Sequence, residues 1–256
     1  MKVVLLAGGL GTRLSEETHI VPKPMVEIGD RPILWHIMQQ YAYYGMKDFY
    51  VALGYKAEVI KKFFLDFHAM ESEHLSINLA EGSVDVHRKP SVDWRINLVE
   101  TGLSTNTGGR LKRLAPFLAD GTFMLTYGDG VSNIDLHALL AFHRSHGKMA
   151  TVSAVRPPAR FGGLTIEDGQ VTNFIEKPQI GEGWINGGFM VLEPTIFDHI
   201  ADDTTVLESQ VLEKLAEKGH LMAYQHDDFW QCMDTLRDKR YLQALWEGGN
   251  PPWILK

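Results

Sequence analysis

The chain has 256 residues, of which 45% are hydrophobic and 22% are charged, and this balance excludes disordered and fibrous proteins. Its formal net charge is -7, so nucleic acid or an anionic membrane could be bound only through locally placed cations. The single cysteine, Cys232, excludes an intrachain disulfide and a cysteine-based zinc cluster.

The sequence shows no sign of a targeting or membrane-spanning segment. Only the short apolar run Val3–Ala7 precedes the first glycines, and no apolar run reaches the roughly 18 residues of a membrane span. A single cysteine also fits a reducing compartment. We therefore expect a cytoplasmic protein.

The first third of the chain alternates predicted strands and helices. Val3–Ala7 is a predicted buried strand, and a helix is predicted over 31–45, where Pro32 suits the first turn. A second strand over 48–55 and a second helix over 57–67 follow. This alternation is typical of a parallel sheet that is covered by helices on both faces.

The middle of the chain first interrupts this alternation and then resumes it. Residues 74–100 predict short strands that are separated by polar stretches. A helix over 108–118, a strand over 122–130, a helix over 134–147 and a strand over 149–155 follow. We therefore predict an α/β fold with a Rossmann-like mixed, mainly parallel sheet.

Beyond Pro157 the sequence becomes strand-rich. Residues 162–178 predict a hairpin that turns at Asp168-Gly169, and two helices are predicted over 205–219 and 235–249. Residues 248–256 are expected either to be disordered or to dock Trp253 and Ile254 on a neighbouring subunit. We predict one domain over 1–256, divided into parts 1–155 and 156–256.

A glycine-rich loop with one arginine follows the first strand. Its sequence, "GGLGTRL", does not fit the dinucleotide pattern G-x-G-x-x-G, because Leu14 stands at the position of the last glycine, and no Walker A pattern is present. Backbone N–H groups of such a loop can point at phosphate oxygens, and Arg13 can add bidentate contacts. The loop is a candidate phosphate site, with a tight turn between strand and helix as the alternative.

This loop, followed by Pro22-Lys23-Pro24, resembles the signature of the sugar-1-phosphate nucleotidylyltransferases, which join a nucleoside triphosphate to a sugar phosphate and release pyrophosphate. "TYGDG", "IEKP", "INGGF" and "MDT" follow in the order that the family shows. The resemblance implies that Asp129 and Asp234 bind Mg²⁺, a hard cation that prefers oxygen ligands. It implies that Arg13, Lys23 and Lys177 carry the reaction.

The same resemblance implies two sets of substrate-binding residues. The nucleotide set is Leu6, Ala7, Gly8, Gly9, Leu10, Gly11, Thr12, Arg13, Lys23, Ser104, Gly109, Arg110 and Gly128. The sugar-phosphate set is Glu176, Lys177, Asn186 and Gly187, in the strand-rich region of the chain. Without the resemblance, Glu176-Lys177 would be a charged strand end and the "NGG" stretch a flexible bend.

Two further stretches are similar to one branch of the family, the glucose-1-phosphate cytidylyltransferases. These are "LSEET" after Arg13 and "ETGLSTNTGGRLKR" over 100–113. The similarity implies CTP and glucose 1-phosphate as substrates, CDP-glucose as product, a homohexamer, and a supply of activated glucose for deoxysugars of lipopolysaccharide O-antigen. Val21 departs from the pattern, because relatives often carry lysine there.

Two alternatives stay open at this point. An enzyme of the same reaction could use UTP, dTTP or GTP, because a base is read by only a few hydrogen bonds. A sugar-nucleotide sensor without catalysis could share the fold, since one fold hosts many functions. Retention of Arg13, Lys23, Asp129 and Asp234 argues against the sensor.

Overall fold

The structure is a computed structural model that describes residues 1–87, 92–157, 163–167, 170–175 and 183–255. Its strands are β1 (Lys2–Leu6), β2 (Glu27–Ile28), β3 (Arg31–Pro32), β4 (Asp48–Leu53), β5 (Leu75–Asn78), β6 (Ser83–Val86), β7 (Arg95–Glu100), β8 (Phe123–Tyr127), β9 (Gly130–Ser132), β10 (Ala150–Val155), β11 (Gly163–Glu167), β12 (Gln170–Ile175), β13 (Ile185–Leu192), β14 (Leu221–His226) and β15 (Trp230–Cys232).

The α-helices are α1 (Ser15–Thr18), α2 (Ile33–Tyr43), α3 (Ala57–Met70), α4 (Thr107–Arg113), α5 (Ala115–Leu118), α6 (Leu136–His146), α7 (Glu213–Glu217) and α8 (Leu236–Glu247). Short 3₁₀ turns cover Thr12–Leu14, Lys23–Met25 and Pro194–His199. A π-helical segment, Leu207–Leu212, leads into α7. No helix in the described part of the chain is long and apolar enough to cross a membrane.

A seven-stranded sheet, in the order β14-β10-β13-β8-β1-β4-β7, forms the centre of the molecule. Four of its six strand pairs are parallel, and β13 runs antiparallel to both of its neighbours, β8 and β10. The predicted mixed, mainly parallel α/β fold is therefore confirmed. The mixed character arises because β13 inserts between β8 and β10.

Strand β1 is buried on both faces of the sheet. Val3 and Leu5 belong to one hydrophobic cluster, whereas Val4 and Leu6 belong to the cluster on the other face. Since side chains alternate between the faces of a strand, a continuous apolar run is what a strand covered on both sides requires. Full burial of each such side chain stabilises the fold by about 1.5–3 kcal/mol.

The order of the strands opens a crevice beside β1. The chain runs from β1 through β4 to β7 at one edge, and then returns to place β8 on the other side of β1. The loops after β1 and β8 therefore leave the same end of the sheet in opposite directions, an arrangement that creates ligand sites in α/β proteins. The Gly128 N–H donates to the Leu6 carbonyl at 3.1 Å and joins the two loops.

The structure corrects the interpretation of the "NGG" stretch as a flexible bend. Asn186, Gly187 and Gly188 lie inside β13, next to an irregularity in its pairing with β10. Gly188 has φ +82, and a Cβ there would stand 2.6 Å from Cδ2 of Tyr127. Both observations explain why position 188 is a glycine. The close approach of Tyr127 comes from the neighbouring strand β8 and leaves no local sequence signal.

The end of the chain also differs from both expectations. Trp253 is only 1% exposed and stacks on Phe229, with ring centroids 5.7 Å apart. Its ring also meets His36 of α2 edge-on at 5.9 Å. The described tail is therefore part of the chain's own core. Asp168 and Gly169, at the turn of the predicted hairpin, lie outside the described residues, although β11 and β12 pair as predicted.

Candidate active site

The glycine loop begins where β1 ends, and the neighbouring strand fixes its first residues. The Ala7 N–H donates to the Ala52 carbonyl at 3.1 Å, and the Tyr55 N–H donates to the Gly8 carbonyl at 3.2 Å. A Cβ at Gly8 would stand 2.2 Å from Nη1 of Arg110. A side chain at Gly8 would therefore have to displace the buried guanidinium group of Arg110.

Gly9 differs from the other glycines of the loop. A Cβ on Gly9 would meet no atom within 4 Å, and its φ lies outside the left-handed region, in contrast to Gly11 with φ +65. Gly9 also lines the cavity beside the loop. Neither backbone conformation nor packing against described residues demands glycine there, so the open space beside it leaves the backbone accessible to a ligand.

Four charged side chains meet where the loops after β1 and β8 face each other. Lys23 Nζ donates to Oδ2 of Asp129 at 2.6 Å and to Oδ1 of Asp234 at 2.5 Å. Arg13 Nη1 donates to Oδ2 of Asp234 at 2.6 Å. Two positive and two negative groups, from positions as far apart as 13 and 234, therefore form one cluster, which we call the charge cluster.

The environment of Lys23 keeps its ammonium group charged. Its side chain is 11% exposed. Burial by itself would lower its pKa, but attraction and hydrogen bonds from Asp129 and Asp234 outweigh burial and raise the pKa above its ordinary value. Arg13 has a different environment, because 76% of its side chain is exposed. Lys23 is thus a buried charge with two carboxylate partners, whereas Arg13 is largely exposed to solvent and contacts Asp234 of the cluster.

Cys232 lines the same region without being a reactive thiol. Burial, followed by the carboxylates of Asp234 and Asp129, raises the pKa of its thiol to about 11. A thiol with this pKa is protonated near neutral pH and is a poor nucleophile. The described site therefore offers fixed charges, and Cys232 is not suited to form a covalent intermediate.

Arg110 lies beneath the glycine loop, where 5% of the residue is exposed. Burial, and then the nearby charge of Arg113, lowers its pKa. Its guanidinium group donates to neutral oxygen atoms from three segments of the chain, so it ties the glycine loop to the β4 end and to the loop after β7. The acceptors are the carbonyls of Gly8 at 2.9 Å, Leu53 at 3.1 Å, Gly102 at 2.8 Å and Leu103 at 3.2 Å, and Oγ1 of Thr101 at 2.8 Å.

Two cavities meet at the charge cluster. The first, which we call the loop cavity, has a volume of about 380 Å³, and the second, the β13 cavity, about 330 Å³. Arg13, Tyr127 and Asp129 line both of them. The loop cavity is lined in addition by Leu6, Ala7, Gly8, Gly9, Gly11, Thr12, Lys23, Pro24, Thr105, Asn106, Thr107, Arg110 and Gly128.

The β13 cavity contains the described part of the expected sugar-phosphate set. Asn186 and Gly187 line it, and Trp230 Nε1 donates to the Gly187 carbonyl at 2.7 Å. Glu176 and Lys177 lie outside the described residues. The remaining lining residues are Thr126, Gly130, Gly188, Phe189, Glu208, Trp230, Cys232 and Asp234.

Three residues of the expected nucleotide set lie apart from both cavity linings. Leu10 and Ser104 are exposed at the surface. A Cβ on Gly109 would stand 2.5 Å from Cα of Asp203, so this glycine allows α4 to pack against the segment before the π-helix. The neighbouring Thr105–Thr107 lines the loop cavity instead. These three residues were not predicted from the sequence, although they directly precede Gly108-Gly109, which belong to the stretch that indicated the family branch.

The two aspartates fit a divalent cation. Their carboxylates already converge on one cationic centre, the Lys23 ammonium. No group of three or more His, Cys, Asp and Glu side chains suited to a metal occurs in the part of the chain that the structure describes. Mg²⁺ suits such a site, since it usually takes one or two carboxylates and completes its six ligands with water and phosphate oxygens.

Comparison with known proteins assigns this arrangement to a family. A family model described as nucleotidyl transferase matches residues 2–245. The chain belongs to the nucleotidyl transferase family. The glucose-1-phosphate cytidylyltransferase of Salmonella typhi is 53% identical over 99% of this chain and 98% of its own length. The probable glucose-1-phosphate cytidylyltransferase of Bacillus subtilis is 42% identical over 99% of both chains.

A solved structure is similar as well. HddC from Yersinia pseudotuberculosis superposes with a TM-score of 0.70 at 24% identity, covering 96% of this chain and 99% of that one. This likeness supports the fold alone. The resemblance to nucleotidylyltransferases that the short motifs indicated is confirmed over nearly the whole chain.

Proposed function

We propose that this protein transfers the cytidylyl group of CTP to α-D-glucose 1-phosphate, giving CDP-glucose and pyrophosphate. The observation that carries the proposal is the charge cluster, which lies where a cavity beside a glycine loop meets a second cavity beside β13. The choice of CTP and glucose 1-phosphate is supported by the relatives at 53% and 42% identity, which carry that activity in their names.

The reaction needs no nucleophile from the protein. A phosphate oxygen of glucose 1-phosphate is already ionised; it forms a bond to the α-phosphorus of CTP while the bond to the departing pyrophosphate breaks. The protein therefore has two tasks, to align the two phosphates and to neutralise their charge. A site of fixed cations between two cavities suits both tasks.

We assign the nucleotide phosphates to the loop cavity. Backbone N–H groups of Gly8–Thr12 would hold phosphate oxygens, with Gly9 leaving room for close approach. Lys23 would contact the nucleotide phosphates, and the exposed Arg13 would turn toward the departing pyrophosphate. A Mg²⁺ ion held by Asp129 and Asp234 would supply further neutralisation of phosphate charge.

We assign the sugar phosphate to the β13 cavity. Asn186 and Gly187 would face the sugar hydroxyls, and Glu176 and Lys177 complete this assignment, with Lys177 on the acceptor phosphate. The nucleotide-binding part of the domain is then mainly 1–155 and the sugar-phosphate part mainly 156–256. The separate linings of the two cavities support this division.

The proposal includes a cytoplasmic homohexamer, as the family resemblance implies. Exposed apolar side chains on α3 and on the β5–β6 hairpin support a subunit contact; Leu65 is 79% exposed, Met70 78% and Leu79 90%. Analytical ultracentrifugation tests the oligomeric state. A sedimentation mass equal to one chain would contradict the hexamer.

The deciding experiment measures pyrophosphate release with glucose 1-phosphate and Mg²⁺, in parallel with CTP, UTP, dTTP, GTP and ATP. We expect a strong preference for CTP. Equal rates with all five would leave a general hexose-1-phosphate nucleotidyltransferase. No release with any of them, combined with binding of CDP-glucose, would instead favour the sensor.

A further inference from the structure

Glu208 stands at the boundary between the two cavities, and the surrounding backbone holds it there. It lies in the π-helical segment Leu207–Leu212, a rare geometry that is frequent at functional sites. The Gly108 N–H donates to the Thr205 carbonyl at 3.0 Å, and the Leu207 N–H donates to Oγ1 of Thr107 at 2.9 Å. The segment that carries Glu208 is thus tied to the start of α4.

Each oxygen of the Glu208 carboxylate accepts a hydrogen bond from a different cavity wall. Tyr127 Oη donates to Oε1 at 2.5 Å, and Thr107 Oγ1 donates to Oε2 at 2.7 Å. Hydrogen bonds to an ionised carboxylate are short and about twice as strong as neutral ones. In the contact between Tyr127 and Glu208 the tyrosine hydroxyl is the donor and the carboxylate accepts, so the direction of the Tyr127 O–H bond is set by Glu208.

The orientation of Tyr127 in turn affects Asn186. Because the proton of Tyr127 Oη is directed at Glu208, a lone pair of that oxygen is left for the Asn186 amide, whose Nδ2 lies 3.4 Å away. Oδ1 of Asn186 accepts from the Gly188 N–H at 2.9 Å. The chain of contacts Thr107–Glu208–Tyr127–Asn186 therefore runs from the loop cavity to the β13 cavity.

We propose that Glu208 is a positioning residue for the sugar-phosphate acceptor, acting through the Tyr127 hydroxyl on the side chain of Asn186. This inference rests on the proposed function and extends it, because it names a group that selects the acceptor without touching the nucleotide. Loss of the Glu208 charge frees the Tyr127 hydroxyl to turn away, and the Asn186 side chain is then held only by the bond that its Oδ1 accepts from the Gly188 N–H. The larger effect falls on the acceptor, since Lys23, Asp129 and the glycine loop keep their own contacts, and in the loop cavity only the Thr107 hydroxyl has its bond to Glu208 weakened.

The test compares Glu208→Gln and Tyr127→Phe, singly and together, with the matched control Glu193→Gln. Glu193 also accepts a threonine hydroxyl, from Thr122 at 2.8 Å, but it follows the far end of β13 and lines neither cavity. The KM for glucose 1-phosphate, the KM for CTP, and the rates with mannose 1-phosphate and galactose 1-phosphate are measured for each variant. Thermal melting checks that every variant folds.

We expect each single variant to raise the KM for glucose 1-phosphate about tenfold and to leave the KM for CTP within about threefold, since one charge-assisted hydrogen bond is lost. The double variant is expected to be no worse than either single variant, because both act on one contact chain. Preference for glucose over its epimers should fall in the variants and stay unchanged in Glu193→Gln. Equal changes in both KM values, or additive effects in the double variant, would overturn the proposal.

Wild-type turnover is measured first and decides the proposed function on its own. If wild type releases no pyrophosphate, the proposed reaction fails, and thermal protection by glucose 1-phosphate becomes the readout for Glu208. Protection that is present in wild type and Glu193→Gln but lost in Tyr127→Phe still supports the positioning role. Protection that is unchanged in all variants, or absent from wild type, overturns it.

Discussion

Lys23 carries two ion pairs at once, and this has consequences for the residues around it. Its ammonium group stands between the carboxylates of Asp129 and Asp234, the proposed metal ligands. Asp129 and Asp234 would hold a divalent cation through the same carboxylates that now accept from Lys23, and a Lys23 ammonium released from them would be available to phosphate oxygens. In this proposal, Lys23, Asp129 and Asp234 neutralise one another before substrates bind, and they would neutralise phosphates and a cation afterwards.

Asp129→Asn and Asp234→Asn are each expected to lower Mg²⁺-dependent turnover about 10²- to 10³-fold, as removal of one charge-stabilising group commonly does. Steady-state pyrophosphate release measures this. The matched control is Asp120→Asn, because Asp120 also pairs with a lysine, Lys2, yet its side chain is 70% exposed at the surface. Full turnover in either cluster variant would show that the metal assignment is wrong.

Lys23→Met is expected to raise the affinity for Mn²⁺ alone about tenfold, because it leaves two neighbouring carboxylates without their shared cation. Isothermal titration with Mn²⁺ in the absence of nucleotide measures this, independently of activity. Lys239→Met serves as control, since Lys239 pairs with Glu17 outside the cluster. Unchanged or weaker Mn²⁺ binding in Lys23→Met would contradict the exchange of one cation for another.

At the scale of the element, the glycines of the site have two different purposes. Gly109 lets α4 pack on the backbone of Asp203, whereas Gly9 leaves open space in the loop cavity. A side chain at the first position collides inside the protein, and a side chain at the second collides only with a ligand. The two positions therefore separate stability from binding.

Gly9→Ala is expected to keep the melting temperature within about 2 °C of wild type, because a single surface methyl group seldom changes stability by more than about 0.5 kcal/mol. Turnover should nevertheless fall at least about tenfold, since the methyl group occupies ligand space. Gly109→Ala should show the reverse pattern of a clearly lowered melting temperature. Calorimetry together with turnover separates the two cases. Normal turnover of Gly9→Ala would show that the nucleotide phosphates do not bind against this loop.

At the scale of the whole molecule, residues near the end of the chain pack into the same hydrophobic cluster as residues of β1 and α2. Trp253 packs against Phe229 and His36, so residues more than 200 positions apart share one cluster. Near the same corner, Trp246 of α8 meets His36 edge-on at 5.1 Å, and Gln243 of α8 accepts from the Gly29 N–H at 2.8 Å. Helix α8 begins two residues after Asp234, so this packing also helps to hold that one member of the charge cluster in place.

Trp253→Ala is expected to lower the free energy of unfolding by about 3–5 kcal/mol, the usual cost of truncating a buried tryptophan. Urea unfolding followed by circular dichroism measures the change. Leu79→Ala is the control, because Leu79 is 90% exposed and its truncation should be nearly neutral. Unchanged unfolding of Trp253→Ala accompanied by loss of oligomers would mean that the tail serves a neighbouring subunit after all.

Much of the site was predictable because its groups lie in short contiguous stretches. The glycine loop, Pro22-Lys23-Pro24 and the stretch around Asp129 each follow a strand or turn whose local pattern is visible in the sequence. The apolar run of β1 likewise predicted a strand buried on both faces. Family and fold class therefore followed from the sequence by itself, and the family resemblance named all four residues of the charge cluster.

Only the tertiary structure decided which distant residues meet. Glu208 reaches Tyr127 and Thr107 across 81 and 101 positions, and no local pattern records such a contact. The roles of Gly109, Gly188 and Trp253 were hidden for the same reason, because each depends on a neighbour from another element. Sequence patterns report periodicity and turn chemistry, whereas these contacts arise from strand order, from the insertion of β13, and from the packing of Trp253 on α2 and Phe229.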